Sequence, residues 1–234
     1  MLRHLFDGLA DRLPGQCAVC RAWPAQPVCA ACLARFGAVQ PRCRRCALPV
    51  AAGVDECGRC LRQPPPLDAC HAAVAYQYPW ADLITRFKFG GQPGWARTFA
   101  ALLRGTPQIA PAIEHADLVL PMPLSRERLA ERGFNQALLL ARALAPARTR
   151  ADLLLRTRHT AAQTALDRSG RLANVKGAFA VEPALADRLR GRRIVLVDDV
   201  MTSGASLFAA AAALRQAGAA GITAIVVART DPPV

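Results

Sequence analysis

The chain has 234 residues, room for one large domain or two modest ones. With 53% hydrophobic and 20% charged residues it can bury a core, which excludes a disordered chain. No uncharged apolar run reaches the roughly 18 residues that a membrane span needs, and the net charge of +13 points to an anionic partner, a phosphorylated metabolite or a nucleic acid. Arginine supplies nearly all of that charge, since Lys88 and Lys176 are the only lysines.

The first thirteen residues carry Arg3, Asp7, Asp11 and Arg12, so they lack the apolar stretch of a secretory signal, and a cytoplasmic protein is expected. Eight of the nine cysteines then form four CxxC pairs: Cys17/Cys20, Cys29/Cys32, Cys43/Cys46 and Cys57/Cys60. One pair presents two thiolates and two pairs complete a four-thiolate zinc site, so ligands for two zinc ions are present. A disulfide framework suits secreted chains, and a reducing cytosol disfavours it. Consecutive pairing gives two ribbons in tandem and interleaved pairing gives a cross-brace; short loops close with less entropy and favour the first. Four thiolates leave no open position for water, so the zinc is expected to be structural. Arg21, Arg42, Arg44, Arg45, Arg59 and Arg62 flank the knuckles. The ninth cysteine, Cys70, is expected to open a buried strand as a small hydrophobe.

Gln63-Pro64-Pro65-Pro66 is a stiff extended connector. It sets the expected boundary between a zinc module at 1–66 and a second domain at 67–234. Beyond it, Ala72–Tyr78 reads as a strand, and Trp80–Phe89, Trp95–Arg104 and Pro107–His115 as helices. Asp117–Met122 is a short apolar strand, Gly133–Leu144 a helix and Ala151–Leu155 a further strand. Arg193–Val197, Ser206–Ala217 and Ile222–Ala228 read as strand, helix and strand. Unbroken apolar strands alternating with helices indicate an α/β fold: a parallel sheet flanked by helices.

The segment Ile194–Leu207 reads IVLVDDVMTSGASL. A buried strand delivers Asp198 and Asp199 to the carboxyl edge of the sheet, where open α/β sheets bind ligands. Two acids there can accept hydrogen bonds from sugar hydroxyls. Thr202, Ser203, Gly204, Ala205 and Ser206 form a tight hydroxylated turn at a helix N-terminus, which suits a phosphate. Ribose acids beside a phosphate nest describe a phosphoribosyl group.

The complete string resembles the phosphoribosyl diphosphate (PRPP) signature of type I phosphoribosyltransferases. The resemblance implies that Asp198 and Asp199 are the catalytic pair holding the ribose and that Thr202–Ser206 hold its 5′-phosphate. Pro121, Met122, Pro123, Leu124 and Ser125 are placed like that family's pyrophosphate loop. Arg126, Arg128 and Lys88 would join it against the diphosphate, with Mg2+ bound alongside PRPP. Arg156, Arg158, Thr160, Gln163, Arg171 and Asn174 fall where the family carries a flexible lid. Taken in order, the paired CxxC knuckles, the proline run, Phe87-Lys88-Phe89-Gly90, PMPLS, RGFNQ and VLVDDVMTSG resemble the ComF family of competence proteins. That implies a type I phosphoribosyltransferase-like domain behind a four-cysteine double zinc-ribbon module. It also implies a link to natural transformation, with single-stranded DNA and the DNA-uptake machinery as partners. The acceptor and the oligomeric state are left open. The competing expectation is a nucleic-acid-binding accessory protein on a retired enzyme fold, motivated by the charge and the arginine-rimmed knuckles.

Overall fold

The apolar runs of the sequence assemble into one parallel sheet. In the computed structural model of the chain, residues 15–157 and 177–231 are described. The sheet contains β1 (Ala69–Ala75), β2 (Leu118–Pro121), β5 (Arg193–Met201) and β6 (Gly221–Arg229), in the order β1-β6-β5-β2. Every pairing is parallel, and β5 runs beside β6 from Arg193↔Gly221 to Met201↔Arg229. Only Arg193 of β5 is exposed, as expected of a strand covered on both faces. Successive side chains alternate faces. Ile194, Leu196, Ile222, Ala224 and Val226 share one core cluster with Leu207, Ala210 and Leu214, and Val195, Val197, Ile225 and Val227 are buried on the opposite face.

The helices are α1 (Ala30–Phe36), α2 (Gly58–Arg62), α3 (Trp80–Phe89), α4 (Trp95–Arg104), α5 (Ile109–Glu114), α6 (Arg126–Arg132), α7 (Gln136–Leu144) and α8 (Ala205–Gln216). Helix α3 buries Trp80, Leu83, Ile84 and Phe87, one stripe at helical spacing. It meets α4 through Phe87 and Phe99, whose rings are 5.5 Å apart. Helix α4 packs on α7, and α7 packs on β2 and β5. A separate antiparallel pair, β3 (Leu154–Arg156) with β4 (Phe179–Val181), packs by β4 against α8.

Several sequence expectations shift. The strand expected at Ala72–Tyr78 forms three residues earlier, at Ala69–Ala75, because the β6 pairing begins at Ala69↔Thr223. The helix expected from Gly133 starts at Gln136; Gly133, at φ +76°, instead ends α6, and Asn135 caps α7 by accepting the Leu138 N–H at 3.2 Å. The strand of the acidic motif runs to Met201, since β6 is equally long and keeps pairing with it.

The chain forms two compact units, Met1–Ala38 and Val39–Val234. Cys43, Cys46 and Cys60 therefore belong to the same body as the sheet, in the core cluster with Leu67 and Cys70. The proline run lies inside that body: Arg45 Nη1 donates to the Leu67 carbonyl and the Cys70 N–H to the Arg44 carbonyl, holding the chain on both sides of it together. Among the described residues no helix is long and apolar enough to cross a membrane.

Candidate functional site

Asp198 and Asp199 occupy the last turn of pleat in β5, at the carboxyl edge of the sheet. Asp199 is buried and Asp198 half-buried. Lys88, in the last turn of α3, places its Nζ 3.0 Å from Asp199 Oδ1. The Asp199 N–H donates to Asp198 Oδ1 at 2.9 Å. Burial, together with the adjacent Asp199 charge, pushes the Asp198 carboxyl up to about 7, against the opposing pull of Lys88. One acid is thus fixed and ion-paired, while the other can titrate near neutrality.

After Met201 the chain turns through Thr202, Ser203 and Gly204 into the twelve residues of α8. Gly204 sits at φ +84°. A Cβ there would strike the Met201 methyl and lie 2.7 Å from the Phe208 ring, so both side-chain ends would have to shift, and the positive φ itself favours glycine. Ser203 Oγ accepts the Ala205 N–H at 3.3 Å. The first N–H groups of α8 and the positive end of its dipole face the same opening.

The opposite wall comes from β2. Its Pro121 leads into Met122, whose N–H donates to the Val197 carbonyl at 2.9 Å. Asn135 Nδ2 donates to the Met122 carbonyl at 3.1 Å, which ties this loop to the start of α7. Ser125 caps α6 by accepting the Arg128 N–H at 3.4 Å. Arg132 donates to Gln136 Oε1 at 3.1 Å and stands 4.8 Å over the Phe89 ring.

These walls enclose a cleft of about 620 Å³. Of the residues singled out in the sequence, Asp198, Asp199, Thr202, Gly204, Ala205 and Ser206 line it, and so do Lys88, Met122, Pro123, Leu124, Arg128 and Arg156. Pro121, Ser125, Arg126 and Ser203 do not line it. Pro121 is a strand residue, and the Ser125 and Ser203 hydroxyls cap local turns. Lys88, expected at the diphosphate from the sequence, lines the cleft with its Nζ 3.0 Å from Asp199 Oδ1. Arg156 stacks 5.5 Å over Phe179. Arg158, Thr160, Gln163, Arg171 and Asn174 lie outside the described residues. Tyr76, Phe89, Glu131 and Arg132 also line the cleft; Arg132 was legible as one of the arginines after PMPLS, whereas Tyr76 and Glu131 carried no signal.

The eight paired cysteines form two clusters, Cys17/Cys20/Cys29/Cys32 and Cys43/Cys46/Cys57/Cys60, so consecutive pairs come together. Within each, the sulfurs lie within 4.8 Å of one another. Cys17–Cys32, Cys20–Cys29 and Cys46–Cys57 are 3.9, 3.6 and 3.7 Å apart. A tetrahedron with Zn–S near 2.3 Å has edges of about 3.8 Å, so both donor sets fit zinc in size and chemistry. Each also shows the N–H···S bonds of a knuckle, Cys29 N–H to Cys17 Sγ at 3.4 Å and Cys57 N–H to Cys43 Sγ at 3.3 Å. As a free thiol Cys32 is pushed up to about 12 by burial and the neighbouring sulfurs, a penalty that a bound cation removes. Cys70 lies apart, buried in β1 with its Sγ 3.5 Å from Met201 Sδ.

Residues 139–232 match the family model described as a phosphoribosyl transferase domain. The chain is 32% identical over 182 residues to DNA utilization protein YhgH of Escherichia coli K12, covering 74% of this chain and 77% of that one. It is 34% identical over 165 residues to competence protein F of Haemophilus influenzae, covering 68% and 72%. With competence protein ComFC of Bacillus subtilis the identity is 31% over 160 residues, covering 68% and 63%. A phosphoribosyltransferase-type sheet, two four-cysteine clusters and these relatives agree: the chain belongs to the ComF family of competence proteins.

Proposed function

We propose that the cleft binds PRPP together with Mg2+, and that the protein serves the cytoplasmic handling of single-stranded DNA alongside the DNA-uptake machinery. The observation that carries the first part is one cleft lined at once by Asp198, Asp199, Thr202, Gly204, Ala205, Ser206 and the cations Arg128 and Arg132. The α8 N-terminus and the Thr202 and Ser206 hydroxyls would take the 5′-phosphate. Asp198 and Asp199 would accept hydrogen bonds from the ribose hydroxyls, with Lys88 holding Asp199 in place. Arg128 and Arg132 would face the diphosphate, and Arg156 would contribute from β3. Mg2+, when bound, would neutralise charge shared by the diphosphate and the ribose oxygens. In a transfer reaction an acceptor nucleophile would form a bond to the anomeric carbon while the C–O bond to diphosphate breaks and its electron pair leaves with the diphosphate. The zinc of both clusters would be structural.

The DNA role rests on what the relatives are named for, DNA utilization and competence, and on the net charge of +13. Calorimetric titration with PRPP and Mg2+ tests the first part. A single-stranded DNA titration at two salt concentrations tests the second, with affinity expected to fall steeply as salt rises. A second reading, a nucleic-acid-binding accessory protein without turnover, is favoured by Trp23 at 68% exposure beside the first cluster. It expects DNA affinity to survive loss of Asp198 and Asp199.

A further inference from the structure

Arg229 closes β6 and is 2% exposed, a charged side chain in the core. Its guanidinium spans two parts of the molecule. On one side Nε donates to the backbone carbonyl of Cys46, a member of the second cluster, at 2.9 Å. On the other side Nη1 donates to the Met201 carbonyl at 3.0 Å and to the Thr202 carbonyl. A further bond reaches the Thr230 carbonyl at 2.6 Å. Met201 ends β5 and Thr202 begins the turn that reaches Gly204, and the Met201 methyl packs against Gly204 itself. A continuous path therefore runs from the cysteine cluster through one guanidinium to the anion-binding turn.

We infer that Arg229 is a positioning residue that links metal occupancy at Cys43/Cys46/Cys57/Cys60 to the order of the Thr202–Ser206 turn. The physical reason is the cost of an unmet buried charge. The Cys46 carbonyl is held where it is by the knuckle, whose closure needs the four sulfurs gathered. When the knuckle opens, the guanidinium loses an acceptor that water cannot easily replace at this depth. It must then shift, and the Thr202 carbonyl shifts with it, while the Met201 carbonyl keeps its bond from the Thr230 N–H. Linkage is reciprocal, so a ligand that orders the turn must also tighten the metal. The inference deepens the proposed function, because the second half of its test uses the phosphate reading of the turn.

The test uses the full zinc-loaded chain, as wild type and as Arg229→Lys, which keeps the charge and loses the fork. Amide hydrogen exchange is followed at Met201–Ser206 with zinc bound and after a chelator has emptied the second cluster. In the wild type, emptying is expected to speed exchange there about tenfold. In Arg229→Lys the turn is expected to exchange fast already, with less than about a twofold further change. Separately, ribose 5-phosphate with Mg2+ is expected to slow zinc release from the second cluster in the wild type and to leave it unchanged in Arg229→Lys. Unchanged exchange at Met201–Ser206 while Cys43–Cys60 opens would overturn the inference. So would an equal rise across Ile194–Val197, which signals general unfolding, or wild-type behaviour of Arg229→Lys. If ribose 5-phosphate fails to bind the zinc-loaded wild type, the phosphate reading falls and the exchange experiment alone decides the linkage.

Discussion

Lys88 Nζ, at the end of α3, sits 3.0 Å from Asp199 Oδ1 near the end of β5, and both side chains are largely withdrawn from water. The pair joins the helix after β1 to the strand of the acidic motif. It also settles how two adjacent acids can share one cleft: one is neutralised by a fixed cation, the other is left with a raised affinity for protons.

Breaking this pair from either side leaves a buried charge without a partner. Lys88→Met and Asp199→Asn are each expected to lower unfolding free energy by about 3 kcal/mol. The double variant is expected to cost less than the sum by at least about 1 kcal/mol. Urea unfolding of the four proteins measures this. Strict additivity would show that the contact contributes nothing.

Asp198 makes stability and binding depend on pH. Its carboxyl is raised from 3.8 to about 7, so between those values the folded chain holds more proton than the unfolded one. Its contribution to stability therefore falls as pH rises through that window and is flat above it. Under the proposed function, Mg2+ and a ribose phosphate would bind against the carboxylate form, so affinity is expected to rise from pH 6 to 8 with release of a proton. Calorimetry in buffers of different ionisation enthalpy reads the proton directly. Asp198→Asn should abolish the release, and an identical proton count in that variant would contradict the assignment.

Gly204 and Gly91 make a controlled comparison. Both have positive φ, but a Cβ at Gly91 meets nothing within 4 Å, whereas at Gly204 it strikes Met201 and Phe208. Gly91→Ala is expected to cost about 1 kcal/mol of backbone strain. Gly204→Ala should cost more and should also remove sugar-phosphate binding. Equal costs in thermal unfolding would show that the turn has room to relax.

The acidic motif was legible because it is local: strand, two acids, small hydroxylated turn and helix follow one another within fourteen residues. Helices α3 and α4 were legible to their end residues, because Trp80/Leu83/Ile84/Phe87 and Trp95/Phe99/Leu103 repeat at helical spacing. What stayed hidden is long-range. Arg229 reads as an ordinary strand-end arginine, and its burial depends on Cys46, 183 residues earlier. The partnership of the second cysteine cluster with the sheet is hidden for the same reason, behind a proline run that reads as a linker. Strand β4 is three residues long, too short to show a period.

The two clusters should behave differently on loss of metal. The chain is expected to carry two zinc ions by elemental analysis, one per four-cysteine set. Cys57→Ser should lose one of them and lower the main thermal transition, since Cys43, Cys46 and Cys60 are part of the sheet's core. Cys20→Ser should lose the other and leave that transition in place, because its cluster lies in a compact unit of its own, too small to fold without metal. Equal effects of the two substitutions would contradict this division.

We propose above that the cleft at the carboxyl edge of the sheet is a live PRPP site. Calorimetric titration of the zinc-loaded chain with PRPP and Mg2+ tests it most directly, with Asp198→Ala/Asp199→Ala as the comparison. Saturable binding in the wild type and none in a double variant that still melts cooperatively is the expected result. A folded, zinc-loaded wild-type chain that takes up no PRPP would contradict the account and leave nucleic-acid binding as its replacement.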